Sequence, residues 1–205
     1  MSKKDVDVES VAKNVLKDEK VFSELLEGIT SKNETIRYNS FKVLMLLSEE
    51  HPEVVYPEWD FFVNLLTSKN TYHRTSGVNI IAALTSADKE KKFEKIFDQY
   101  YNLLDDESVI PAAKLAGNSG KIAKAKPELQ TKITERLLSI DGTHHASHRK
   151  ELIKAYVIEA LSEYFEEAKD KKKIIEFNKK QLDSESPKTR KAAKEFLEKW
   201  DKNSS

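Results

Sequence analysis

The densest group of side chains able to hold a metal is His144-His145-Ala146-Ser147-His148, where His144 and His148 share a face if a helix starts early enough. A His-Glu-x-x-His zinc motif needs a glutamate directly after the first histidine, and none is there, while Asp141-Gly142-Thr143 just before it reads as a turn. The segment is therefore read as a polar loop and helix start, with no metal assigned. Gly117-Asn118-Ser119-Gly120 has the small residues of a phosphate loop but lacks the following Lys-Ser/Thr. Inside a helical pattern, such glycines serve close helix contact or bending. Paired acids at Glu49-Glu50, Asp105-Asp106 and Glu166-Glu167 point in different directions when adjacent on a helix, which spoils them for joint acid–base work. No Ser elbow or nucleophile with a base beside it is present. The chain has no cysteine, so thiolate metal sites and a thiol nucleophile are excluded together. No catalytic residue, cofactor or metal is assigned, and the chain is read as a non-enzyme.

What remains is an array that positions surfaces. Only five Gly and five Pro occur in 205 residues, and 34% of the chain is charged, a composition of helices joined by short turns. The 35 basic and 35 acidic residues cancel, which removes any global pull on nucleic acid or anionic membrane. The balance is uneven: residues 1–66 carry 8 basic against 13 acidic side chains, and residues 169–205 carry 12 against 7. The polar start Met1-Ser-Lys-Lys and the lack of a long apolar run predict a cytoplasmic protein with no membrane span.

Self-similarity is the main signal. Thr30-Ser-Lys-Asn33 returns as Thr67-Ser-Lys-Asn70, and the apolar pattern continues in register, Val43 over Ile80, Leu44 over Ile81 and Leu47 over Leu84. Later copies open at Leu104-Asp-Asp-Glu-Ser-Val109 and at Ser186-Pro187, with a fourth around Ile153, Val157, Ala160, Leu161 and Tyr164, its register open by a few residues. First helices are predicted over 21–29 and 59–66. Asn33, Asn70 and Ser186 are N-cap types opening second helices, and Pro187 suits the first helical position. Val8, Val11, Val15 and Leu16 form an amphipathic segment suited to capping the stack. Phe61, Phe62, Phe93, Phe97, Tyr100 and Tyr101 fall at or near core spacing.

Asn33-Glu-Thr-Ile-Arg37, Asn70-Thr-Tyr-His-Arg74 and Ser186-Pro-Lys-Thr-Arg190 resemble the Asp-Pro-x-Val-Arg opening of the second helix in HEAT repeats, an armadillo-type family, over about residues 21–200. The resemblance implies a hydrogen-bonded ladder between repeats through Arg37, Arg74 and Arg190, broken in the third copy, where Ile110 stands in the arginine's place. The expected fold is all-α: a right-handed α-α superhelix of about five helix pairs in one domain. Its parts are a cap over residues 1–18 and repeats over 19–52, 53–87, 88–125, 126–168 and 169–202.

Stacked second helices usually line a concave surface, so the expected function is a scaffold binding a protein or peptide partner. Its contact residues are Tyr38, Lys42, Asn79, Lys114, Asn118, Lys154 and Lys191. Tyr38 is either a contact anchor or packing for the preceding repeat. The alternative is nucleic-acid binding through Lys188, Arg190, Lys191 and Lys194; the chain is expected to be a monomer or to self-associate weakly through its acidic and basic ends.

Overall fold

Charged and apolar residues alternate at helical spacing along the whole chain, and the computed structural model, which describes Met1 and residues 6–201, is built on that pattern. It contains twelve α-helices and no strand among the described residues: α1 (Val8–Val15), α2 (Glu19–Gly28), α3 (Glu34–Glu50), α4 (Pro52–Val55), α5 (Trp59–Leu65), α6 (Thr71–Leu84), α7 (Lys92–Tyr101), α8 (Val109–Ala125), α9 (Gln130–Leu138), α10 (Ser147–Tyr164), α11 (Lys171–Lys180) and α12 (Pro187–Trp200). Contacts divide the chain into two compact units, Met1–Ile96 and Phe97–Ser205. In the first, α3 packs on α1, α2 and α6, and α6 packs on α5. In the second, α10 lies between α8 and α12, with α9 against α8 and α11 against α12.

The helix starts follow from side-chain chemistry. Asn33 Oδ1 accepts from Ile36 N at 3.2 Å, Asn70 Oδ1 from Tyr72 N at 2.9 Å, Ser108 Oγ from Ile110 N at 3.4 Å and Ser186 Oγ from Thr189 N at 3.3 Å. Each satisfies an amide that the first helical turn leaves open. The α10 start is Ala146, which offers no side-chain cap. The five starts thus lie at 33, 70, 108, 146 and 186.

A second bond recurs two residues earlier. Ser31 Oγ accepts from Asn33 N (3.1 Å), Ser68 Oγ from Asn70 N (3.2 Å), Asp106 Oδ1 from Ser108 N (2.8 Å) and Ser184 Oγ from Ser186 N (3.2 Å). The arginine four residues past the cap then donates to the carbonyl of that same residue: Arg37 to Ser31 O at 2.8 Å, Arg74 to Ser68 O at 2.7 Å and Arg190 to Ser184 O at 2.5 Å. This corrects the expected ladder between repeats: one helical turn above the cap, each guanidinium sits over the open carbonyl of its own turn and closes it. The third copy is also corrected. Because Ser108 is its cap, the arginine's place falls to the buried Ala112, not to Ile110. In α10 the place falls to Lys150, which donates to Asp141 O at 2.9 Å.

The core is aromatic as well as aliphatic. Trp59, Phe62 and Phe93 are enclosed in the first unit, and Tyr100, Tyr101 and Tyr164 in the second. Tyr101 donates to Ser119 Oγ at 3.2 Å, and Tyr164 shares a hydrogen bond with Thr134 at 2.8 Å. Burial holds the Tyr100 and Tyr101 phenols well above their ordinary range and pushes Tyr164 up to about 12. A phenol whose folded pKa is raised supports the fold fully below its unfolded value and loses that support as pH rises through the folded one. In strong denaturant the tyrosines are expected to ionise together near about pH 10, by absorbance at 295 nm. In the folded protein these three should ionise only at higher pH, in step with loss of helical circular dichroism. Their ionisation near pH 10 with helicity intact would contradict this burial.

Candidate recognition surface

A helix turns 100° per residue, so positions two, five, six and nine past a helix start share one stripe about 100° wide. On α3 that stripe carries Tyr38 and Lys42, on α6 Tyr72 and Asn79, on α8 Ile110 and Lys114, and on α12 Lys188 and Lys191. On α10 Leu152 takes the sixth position, and Tyr156, one residue beyond the ninth, packs where a Cβ on Gly117 would meet its ring at 3.6 Å. Among the described residues only Leu16, Tyr38, Tyr72, Ile110, Leu152 and Leu182 are large apolar side chains left exposed. Four of those six occupy stripe positions, two in each unit, a recurrence rather than scattered exposure.

Cations accompany the rings. The Lys42 ammonium stands 4.9 Å from the centre of the Tyr38 ring, the Arg37 guanidinium 4.8 Å from that of Tyr72, and the Lys188 ammonium 3.5 Å from that of Tyr156. Each is within cation–π range. The Arg37 contact does join neighbouring repeats of the first unit, through a ring instead of a carboxylate. Burial and the Arg37 charge both lower the pKa of His73 beside it, so the imidazole adds no competing charge near neutrality.

The expected contact residues fall in different places. Tyr38 is 60% exposed, so it is an outward-facing side chain. Lys42 is half-buried along its stem; Asn79 is half-buried, and its amide donates to Thr75 O at 2.7 Å. Lys114 is exposed, Asn118 half-buried at the edge of the stripe, and Lys191 exposed and 3.7 Å from Glu195. Lys154 is turned inward: its ammonium bridges Glu151 Oε1 at 2.7 Å and Asp141 Oδ1 at 2.8 Å, and Ser184 Oγ donates to the other Glu151 oxygen. Eight residues past the helix start, Lys154 lies about 110° from the centre of the stripe. Tyr72, Ile110 and Leu152 were absent from the expected set because matching apolar ladders finds the buried face; counting from each cap finds the opposite one.

The basic C-terminal residues are tied into the protein in turn. Arg190 closes its own turn, Lys188 also lies 3.3 Å from Glu159, and Lys194 lies 3.8 Å from Glu198. Between α10 and α12 is an open cleft of about 420 Å³ lined by Ile158, Ser162, Lys188, Ala192 and Phe196 among others.

The histidine cluster serves the turns. His144 bonds Asp105 Oδ1 through both its amide (2.7 Å) and Nδ1 (2.5 Å), and the buried His145 donates from Nε2 to Leu104 O at 3.1 Å. Partial burial pushes the Asp105 carboxyl up, but the bonds from His144 and the neighbouring imidazoles outweigh it and leave its pKa lowered. His148 is exposed in the first turn of α10. Among the described residues no group of three metal-binding side chains comes together. None of the helices there is long and apolar enough to cross a membrane.

Comparison of the whole chain with solved structures returns, among others, two engineered or designed proteins. A designed armadillo repeat protein superposes with a TM-score of 0.53 at 15% identity, covering 93% of this chain and 89% of that one. The fold is an armadillo-type helical repeat. An engineered protein solved as a Northeast Structural Genomics Consortium target superposes with a TM-score of 0.51 at 17% identity over 94% of this chain and 86% of that one. No protein-family model matches the sequence, and no curated protein does. At these identities the likeness is one of fold.

Proposed function

We propose that this armadillo-type chain is a non-catalytic scaffold that captures a protein or peptide partner on the outer stripe of its second helices. The observation that supports this reading is the recurrence, within each unit, of large exposed apolar side chains at equivalent places in the second helices, Tyr38 and Tyr72 in the first and Ile110 and Leu152 in the second, each 46–60% exposed. Keeping large apolar side chains in water gives up the 1.5–3 kcal/mol that burial of each contributes, roughly. Aromatic side chains beside cations are also the types enriched where partners bind most tightly. Lys42, Asn79, Lys114, Asn118 and Lys191 supply polar contacts around them, and the inward-turned Lys154 holds the surface rather than touching the partner.

The test is capture from cell extract by the intact protein and by Tyr38→Ala/Lys42→Glu, with and without nuclease. A protein partner that survives nuclease is expected to be recovered at least about ten-fold less well by the variant, equivalent to roughly 1.4 kcal/mol. The far-UV circular dichroism should not change, since both side chains lie outside the core. Equal capture by the variant would remove Tyr38 and Lys42 from the site, and nuclease-sensitive capture would replace the protein partner by a nucleic acid.

A further inference from the structure

The chain contains one Asp-Gly step, Asp141-Gly142, and no Asn-Gly. It stands at the end of a single 3-10 turn, Ser139–Gly142, on the surface between α9 and α10. Such a turn is held by few and poorly aligned bonds, so it opens at little cost. The Asp141 side chain is 65% exposed. A Cβ built on Gly142 would meet nothing within 4 Å, so neither a side chain of its own nor a neighbour shields its amide nitrogen. The Lys150 ammonium donates to Asp141 O, the carbonyl of the same peptide group, at 2.9 Å. We propose that Asp141 is a site of spontaneous isomerisation to isoaspartate, and so a substrate for a protein carboxyl methyltransferase that uses S-adenosylmethionine.

The reacting atoms are neighbours along the chain, so the step is intramolecular and needs only that the turn open. The Gly142 nitrogen attacks Cγ of the protonated Asp141 carboxyl group. A bond forms between that nitrogen and Cγ, the amide proton and the carboxyl hydroxyl leave together as water, and a cyclic succinimide results. Water then adds to one of the ring carbonyls. Addition at Cγ breaks the new bond and restores aspartate. Addition at the main-chain carbon breaks the original peptide bond instead, and the chain then runs through Cβ and Cγ with the carboxylate left on Cα. One water is lost and regained, and nothing is oxidised or reduced. Lys150 assists twice: drawing electron density from the Asp141 carbonyl makes the Gly142 N–H a better acid, and later makes the main-chain carbon the better target for water.

The product no longer reaches where aspartate does. Asp141 Oδ1 lies 2.8 Å from the ammonium of the buried Lys154, which also bridges Glu151 at 2.7 Å. Glu151 in turn accepts from Ser184 through its carboxylate and from Thr189 through its carbonyl. Isomerisation lengthens the backbone and moves the carboxylate, which takes one of two counter-charges from Lys154. Its effect therefore passes to the turn that opens α12.

The experiment ages the full chain at body temperature and neutral pH over several weeks. Isoaspartate at position 141 is read by electron-transfer fragmentation of the tryptic peptide of residues 137–149, and by methyl transfer from labelled S-adenosylmethionine. It is expected to accumulate there more than at any other aspartate. Gly142→Ala, whose Cβ enters open space at a negative φ, keeps the fold and should isomerise at least about ten-fold more slowly, an added barrier of roughly 1.4 kcal/mol. Lys150→Gln should be slower by several-fold. The isomerised wild type is expected to melt about 2–4 °C below the fresh protein, and methyltransferase treatment should restore it. Lys154→Met/Glu151→Gln, which has no such bridge to lose, should melt at the same temperature before and after ageing. The proposal is overturned if the folded chain gains no isoaspartate at 141 while the free peptide of residues 137–149 does. It also falls if either slowing variant ages as fast as the wild type, or if the isomerised wild type melts where the fresh one does.

Discussion

Lys154→Met is expected to lower the unfolding free energy by about 3 kcal/mol, the scale for removing one partner of a buried ion pair. The Lys154 side chain is 8% exposed and that of Glu151 13%, so the ammonium is the main compensation for a carboxylate with little access to water. Burial alone would lower the pKa of Lys154; hydrogen bonds and charge from Asp141 and Glu151 reverse that and leave it raised. A lysine with a raised folded pKa contributes its stabilisation fully below its unfolded value and loses it only as pH rises through the folded one. At neutral pH the contribution is therefore whole. Without it Glu151 keeps Ser184 but loses its counter-charge, and the turn that Ser184 begins is loosened with it. Lys154→Met/Glu151→Gln should recover most of the loss, because no buried charge is then left unpaired. Urea unfolding of the wild type and the three variants reads the cycle. A single-variant loss under about 1 kcal/mol would mean that the pair behaves as a surface one.

Gly120→Val is expected to destabilise the second unit by about 2–3 kcal/mol, in the range for overfilling a packed contact. A Cβ there would lie 2.6 Å from the Glu163 carboxyl carbon, which can swing away, and 2.9 Å from Ala160 O, which cannot without moving α10. Even Gly120→Ala, which gains up to about 1 kcal/mol in helix propensity, should come out destabilising because that backbone contact is stiff. Three residues earlier the sign reverses. A Cβ on Gly117 meets only Tyr156, at 3.6 Å and more, an ordinary contact. Gly117→Ala should therefore stabilise by roughly 0.5–1 kcal/mol. Thermal melts that moved both alanine variants in the same direction would contradict this packing.

Much of this architecture can be read from the residues. Asn33, Asn70 and Ser186 cap helices because of what a short polar side chain can do at a helix start, and that chemistry is local. Gly117 and Gly120 lie in a close helix contact as their small size implies, although only Gly120 is pressed against backbone. The third repeat was misregistered because setting Ile110 in the arginine's place puts the cap four residues earlier, at Asp106, whereas Asp106 accepts from the amide of the true cap, Ser108. The inward turn of Lys154 could not be read at all, since it depends on Asp141, which reaches the ammonium, and on Ser184, which holds Glu151, and both arrive only after the turns have packed. The arginine–carbonyl closure was missed for the opposite reason: the resemblance directed attention between repeats, while the bond lies within six residues of sequence.

That short span bears on how the chain folds. A turn tied by a serine two residues before its cap and an arginine four after it closes a loop of few residues, at small entropic cost. Such an element can form before any distant part of the chain is present. Contacts between near neighbours in sequence speed folding, and repeat arrays can nucleate at more than one place and grow outward. Ordering is then free to begin at the turns of Arg37, Arg74 and Arg190. The α8 and α10 turns lack the arginine, which leaves the middle of the chain to be organised by growth from its flanks.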